Sequence, residues 1–230
     1  LKENGKGFIQ LKKGYFGINE GRSGDIWIGS IGGVLHYEKN TKNSTFITND
    51  SIIGKVQTVY EDSRGILWIG SDKGLVRYNH QTKDFSHFSK KNGYPFSTVY
   101  GIFEDKGNNL WVSTNFGLIK FVNAVNTIND LVFRAYDSED GLQSKQVNYR
   151  AYHKGKSGEM FFGGINGFNA FYPDKIIDNP YLPEVIITNL KIFNEPVCIG
   201  EKYQDRIILD KSITQKDELV LSYNDYIFTF

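Results

Sequence analysis

One string recurs along this chain and limits what it can fold into. "GRSGDIWIGSIGGVLHY" (Gly21–Tyr37), "DSRGILWIGSDKGLVRY" (Asp62–Tyr78) and "DKGNNLWVSTNFGLIKF" (Asp105–Phe121) align on a tryptophan, and a degenerate copy, "KSGEMFFGGINGFNAF" (Lys156–Phe171), has Phe161 in its place. The aligned positions are 27, 68, 111 and 161, giving intervals of 41, 43 and 50 residues. A unit in the forties with β character is the length of a four-stranded propeller blade.

The second copy shows how such a unit folds. "VQTVYED" (Val56–Asp62) alternates apolar and polar residues, the period of a half-buried strand. "DSRG" supplies a turn in which Asp62 bonds local backbone and Gly65 takes a positive φ. "ILWIGS" is a short apolar strand packed on both faces. "SDKG" turns again, with Gly74 permissive, "LVRYN" is a third strand, and "FSHFS" a fourth after "NHQTKD". The expected fold is therefore all-β, a partial β-propeller of about four four-stranded blades. An aromatic at one position in every unit fits a plug between adjacent blades, the role expected of Trp27, Trp68, Trp111 and Phe161; the alternative is stacking on a sugar or base. No window has sustained helical spacing, and only short turns are expected near 126–130 and 173–178.

Charge and side-chain chemistry argue against several functions, without excluding a local charged patch. The 27 Lys and Arg balance 26 Asp and Glu, so no field gathers nucleic acid or an acidic membrane surface. Cys198 is the single cysteine, which precludes an intrachain disulfide and leaves the compartment open. His36, His80, His87 and His153 lack metal-ligand spacing and read as surface or strand positions. The acid pairs Glu61–Asp62 and Glu104–Asp105 recur at the end of the first strand, which favours a turn role over glycosidase chemistry. The glycines of "GGINGFNAF" follow no phosphate-loop pattern. No catalytic set, metal or cofactor is expected.

Binding is easier to place. In a propeller, the loops joining strands two and three lie on one face with the loops that join blades. Here these are Ile31-Gly32, Asp72-Lys73, Asn115-Phe116 and Ile165-Asn166, with "KNGYPF" (Lys91–Phe96) and "DGLQSKQVN" (Asp140–Asn148). Amides beside an aromatic platform suit a neutral sugar. Tyr94, Asn115, Phe116, Gln146 and Asn148 lead the candidates, with Asp72, Lys73 and Asn166 beside them.

After Phe171 the pattern changes. "YPDKIIDNPYLPEV" (Tyr172–Val185) holds three of the five prolines and reads as a boundary. Residues 1–178 are expected to form the blades, and 179–230 the first strands of a separate sandwich. "PEVIITNLKIFNEPV" (Pro183–Val197) predicts one long bent strand, and "RIILD" and "ELVLSYNDYIFTF" two more. The chain opens on Leu1 and stops in a strand-like run, so a longer protein is expected, whose flanks could hold a signal peptide or membrane helix.

"EDSRGILWIGSDKGLVRY" and "EDKGNNLWVSTNFGLIKF" resemble the two-component regulator propeller repeat. "GLQSKQVNYRAYHKGKSGEMFFGGINGFNAFYPDKI" resembles the last blade of such an array. "PEVIITNLKIFNEPV" with "LVLSYNDYIFTF" resembles the start of the immunoglobulin-like domain with a triple-tyrosine signature that follows it. The resemblance implies the periplasmic portion of an inner-membrane hybrid two-component sensor, with a membrane helix and a histidine kinase further on. It implies an oligosaccharide ligand, the remainder of its own chain as partner, and no nucleic acid in this region. In that family the propellers have seven blades. Four blades cannot close a seven-bladed ring, so either the other blades lie outside this sequence or two sheet edges are left open, and association, as a homodimer, is expected. The rival readings are a propeller-based glycan-degrading enzyme and a ligand-independent dimerisation scaffold.

Overall fold

The computed structural model describes residues 2–4, 8–10, 14, 16–127, 131–177 and 186–230. The chain divides into two units, Leu1–Ile177 and Asp178–Phe230. The first opens with a short ladder, β1 (Lys2–Asn4) and β2 (Phe8–Gln10), and then lays down four antiparallel sheets in sequence.

Blade I is β3 (Gly17–Glu20), β4 (Ile26–Gly29), β5 (Gly33–Tyr37) and β6 (Ser44–Thr48). Blade II is β7 (Val56–Glu61), β8 (Leu67–Ser71), β9 (Gly74–Tyr78) and β10 (Phe85–Phe88). Blade III is β11 (Val99–Glu104), β12 (Leu110–Thr114), β13 (Gly117–Phe121) and β14 (Phe133–Tyr136). Each is a simple meander. Gly65 has φ 78°, and blade III puts Asn108 at φ 61° in the same place, an asparagine being among the few residues that tolerate the left-handed region. The first strands of blades II and III each carry a register shift at one repeat position, Val56/Thr58 and Val99/Gly101, so the irregularity belongs to the unit.

Blade IV departs from the four-stranded expectation. It contains β15 (Val147–Lys154), β16 (Met160–Gly164) and β17 (Gly167–Phe171), and no fourth strand among the described residues. The chain leaves β17 through Tyr172 into a 3₁₀ turn at Pro173–Lys175, where the proline has no N–H to offer a ladder. Residues 128–130 and 178, part of the other expected turns, lie outside the described residues.

The first strands of all four blades meet at a common axis. A cavity of about 240 Å³ there is lined by Gly17 and Asn19 of β3, Thr58 of β7, Ile102 of β11 and Tyr152 of β15. The Tyr152 hydroxyl bonds Thr58 Oγ1 at 3.0 Å, Asn19 Nδ2 donates to the Val59 carbonyl at 2.7 Å, and Arg150 donates to the Phe16 carbonyl. Gly101 is required at this axis, since a Cβ there would lie 2.5 Å from the Tyr152 ring.

The second unit corrects the strand expectations for 179–230. Residues 178–185 lie outside the described residues. Beyond them only short ladders form: β18 (Lys191–Ile192) pairs with β19 (Glu195–Pro196) and β22 (Phe228–Thr229), and β20 (Lys202–Tyr203) with β21 (Arg206–Ile207). Apolar alternation becomes a strand only where a neighbour takes its backbone groups. Here Leu190, Ile192, Ile208, Leu209 and Ile213 gather into a small cluster, while Val220, Tyr223, Tyr226 and Phe228 stay exposed.

A buried carboxylate pins this cluster. Arg206 donates to Asp225, whose carboxylate also accepts the Ser222 N–H at 2.6 Å. The Arg206 hydrogen bond is the largest cause holding the Asp225 carboxyl below its ordinary range. A depressed folded pKa stabilises above the unfolded value and is lost as pH falls through the folded one. The second unit is therefore expected to loosen below about pH 4. The check is an acid titration followed by Ile192 and Ile208 methyl resonances, in which Asp225→Asn shows a weaker acid transition and a less stable neutral state.

Candidate functional site

Each seam between consecutive blades is built round the repeated indole. Trp27 packs with Val34 and Ile47 of its own blade and with Val56, Val59 and Leu67 of blade II. Trp68, 0% exposed, packs with Leu75 and Phe88 and with Leu110, Val112 and Phe121 of blade III. Trp111, 1% exposed, packs with Leu118 and with Val147, Met160 and Phe162 of blade IV. Phe161 differs from the plug expected of it. It is half-buried and touches His153 and Phe168 of its own blade, because among the described residues no blade follows to receive it.

The recurrent acids do more than make turns. Asp62 is fully buried; its Oδ1 accepts the turn N–H groups of Arg64 and Ile66 at 2.9 and 3.0 Å, and its Oδ2 accepts Trp68 Nε1 at 2.7 Å. Asp105 repeats this with Gly107, Asn109 and Trp111, the last at 2.8 Å. The preceding glutamates point the other way, across the seam. Glu61 Oε2 accepts the Arg22 N–H of blade I at 3.2 Å, and Glu104 Oε2 the Ser63 N–H of blade II at 2.7 Å. Neighbouring residues along an extended chain face opposite sides, so the glutamate serves the blade before and the aspartate that follows it serves its own. Glu104 also sits beside Tyr60, whose hydroxyl pKa is pushed up to about 12, chiefly by burial and then by that charge.

Blade I lacks the aspartate: Gly21 occupies its position, and Trp27 Nε1 donates instead to Glu61 Oε2 at 3.1 Å. A Cβ on Gly21 would land on Glu61 Oε2 and 2.7 Å from Trp27 Nε1. Gly21→Ala is therefore expected to break this bond and cost about 1–3 kcal/mol in urea unfolding.

A basic side chain lies opposite each indole. The cross-strand partners of Trp27, Trp68 and Trp111 are His36, Arg77 and Lys120. His36 stacks on Trp27 with centroids 3.9 Å apart, and Lys120 Nζ lies 5.5 Å from the Trp111 ring centre. His36 also meets Asp25 at 3.3 Å, and the Asp25 carboxyl is held low by the Ser23 hydroxyl first and the Lys39 N–H next. In blade IV the pair is Phe161 and Ala170, so indole, basic partner and aspartate are lost together, with Gly155 in the aspartate's place.

The loop candidates sit at the other end of the strands. Asp72 Oδ1 accepts the Lys55 N–H at 2.8 Å, and Asn115 Oδ1 the Ser97 and Thr98 N–H groups at 3.0 and 2.9 Å, so both tie a loop to the entry of their own blade's first strand. Lys73 Nζ reaches the Asp50 carbonyl, and Asn166 is held by Gln143 through its N–H and side-chain amide. Tyr94 lies within an aromatic cluster of Phe88, Phe96, Phe121 and Phe133. Phe116, Gln146 and Asn148 are exposed. Gln143, which orders Asn166 and accepts no role from sequence spacing alone, emerges only from the structure.

Two larger clefts open along the seam of blades III and IV. One of about 450 Å³ is lined by Trp111, Arg134, Tyr136, Asn169 and Phe171. The other, about 490 Å³, lies at the strand one-to-two turns and is lined by Asp105, Lys106, Lys120, Lys154, Lys156 and Tyr172 among others. No group of three or more metal-ligating side chains occurs among the described residues.

Residues 51–73 and 93–116, in blades II and III, match the two component regulator propeller family. Among solved structures, the chain is similar to the extracellular domain assigned to a hybrid two component system of B. thetaiotaomicron, with a TM-score of 0.64 and 26% identity over 84% of this chain and 27% of that one. A second such extracellular domain from the same organism gives 0.55 at 20% identity, over 70% of this chain and 24% of that one, a likeness of fold. A curated relative, histidine kinase P4 of Formosa agariphila, is 38% identical over 94 residues, 41% of this chain and 7% of that protein. The chain thus spans less than a third of each. Among its described residues no helix is long and apolar enough to cross a membrane.

Proposed function

We propose that this chain is part of the extracytoplasmic sensing region of a two-component signal transducer anchored in the inner membrane, that it binds an oligosaccharide, and that it performs no catalysis itself. The observation that carries the reading is the likeness over 84% of the chain to the extracellular domain of a hybrid two component system. The recurrent acids support the non-enzymatic part, because their oxygens are engaged with indoles and turn amides. Phe116, Gln146 and Asn148 are the proposed ligand contacts, with Asn115, Asp72, Lys73 and Asn166 ordering the rim and Tyr94 supporting it from below.

We further propose that residues 186–230 are the opening of the immunoglobulin-like domain and that the whole sensor works as a homodimer. Ligand binding transmits a signal only through a difference in affinity between two arrangements of the sensor. Titration calorimetry with a panel of oligosaccharides on the complete extracytoplasmic region tests the reading. Heat without new reducing ends is expected. New reducing ends would establish the enzyme instead, and no heat with any glycan would overturn sensing. Sedimentation with and without glycan checks the dimer; a monomer in both would refute it.

A further inference from the structure

The repeat supplies its own template for one more site. At the seam of blades I and II the Arg22 N–H donates to Glu61, and at the seam of blades II and III the Ser63 N–H donates to Glu104. The equivalent positions at the third seam are Lys106 and Lys154. The carboxylate has become an ammonium, and Lys154 Nζ is turned to the Glu104 carbonyl at 2.5 Å. Among the described residues nothing accepts from the Lys106 N–H. A turn amide that is paired with a carboxylate twice in this protein is left here facing a cleft of about 490 Å³.

The charge of that cleft is inverted with it. Lys106, Lys120, Lys154 and Lys156 line it against Asp105 and Asp174. Both Asp105 oxygens are engaged, Oδ1 with Gly107 and Asn109 and Oδ2 with Trp111 and Asn109. Tyr172 adds an aromatic wall. The volume is that of a small-molecule site and far exceeds a lone carboxylate.

We propose that the third seam binds a small carboxylate-bearing molecule of sugar-acid size, whose carboxylate takes the place of the missing glutamate on the Lys106 N–H, with Lys154 and Lys156 supplying charge-assisted hydrogen bonds. The site lies at the opposite end of β12 from Asn115 and Phe116, so it is distinct from the proposed oligosaccharide face and stands or falls separately from it.

The test is a ¹H–¹⁵N titration of the 230-residue chain with sodium D-glucuronate, with D-glucose and sodium sulfate as the other arms. Glucuronate is expected to move the Lys106 amide, and glucose to leave it in place. Lys154→Glu restores the sibling carboxylate and is expected to weaken glucuronate binding about tenfold or more while leaving Tm unchanged or higher. Lys106→Pro is accommodated at the second position of such a turn and removes the amide; it is expected to weaken binding more than Lys106→Gln, which keeps the amide. The proposal is overturned if glucose moves Lys106 as glucuronate does, if sulfate binds as well as glucuronate, or if Lys154→Glu binds unchanged.

Discussion

Trp68→Ala is expected to destabilise the propeller unit by about 3–5 kcal/mol, the cost of removing a large aromatic from a closed core. The side chain is 0% exposed and touches two blades, so the loss falls on the seam as well as on blade II. Neighbouring backbones are fixed by their own ladders and close the void poorly. Phe161→Ala, at the aligned position of blade IV, is the control: its ring is half-buried and joins no interblade cluster, and it should cost less than about 1 kcal/mol. Urea unfolding of both variants gives the comparison. Equal losses would mean that repeat position, and not the presence of a following blade, sets the energetics.

Asp62→Ala is the second large effect, about 3–5 kcal/mol, although it removes only a carboxylate. It strands the Trp68 indole N–H in a closed core and takes the acceptor from the Arg64 and Ile66 turn amides. Asp62→Asn separates the contributions: the amide oxygen still serves the two turn N–H groups, but the Nδ2 donor then faces the indole donor. It should cost roughly half as much, about 2 kcal/mol. Glu61→Gln, which keeps an acceptor for Arg22 and Trp27, should stay within about 1 kcal/mol of the native chain.

The architecture was legible because two periods coincide in the sequence. Alternation in "VQTVYED" marks a first strand, and turn residues at fixed offsets from each tryptophan mark the others, so blades I to III are readable from Trp27, Trp68 and Trp111 alone. The indole–carboxylate bond was harder to read, because Asp62 also makes the turn to which it was ascribed, and the two roles share one residue. The signal was present in the exceptions: where Phe161 replaces tryptophan, Gly155 replaces aspartate, and where Gly21 replaces aspartate, Glu61 takes the indole. The lysine at position 154 is legible as a charge reversal only once the sibling glutamates are known to receive an amide. Tyr94 looked like an open platform because a loop sequence does not reveal that Phe88, Phe121 and Phe133 enclose its ring. In residues 186–230 alternation over-predicted strands, since Val220, Tyr223 and Tyr226 find no ladder partner among the described residues.

Hydrogen exchange at the three indole N–H groups, resolved by ¹H–¹⁵N spectroscopy, addresses the seams most directly. All three protons should be protected, those of Trp68 and Trp111 most strongly, and Asp62→Asn should release the Trp68 proton while leaving Trp111 protected. Three indole protons exchanging at the rate of free tryptophan would mean that no carboxylate-anchored wedge joins these sheets, and the propeller and the sensing role inferred from it would both be withdrawn.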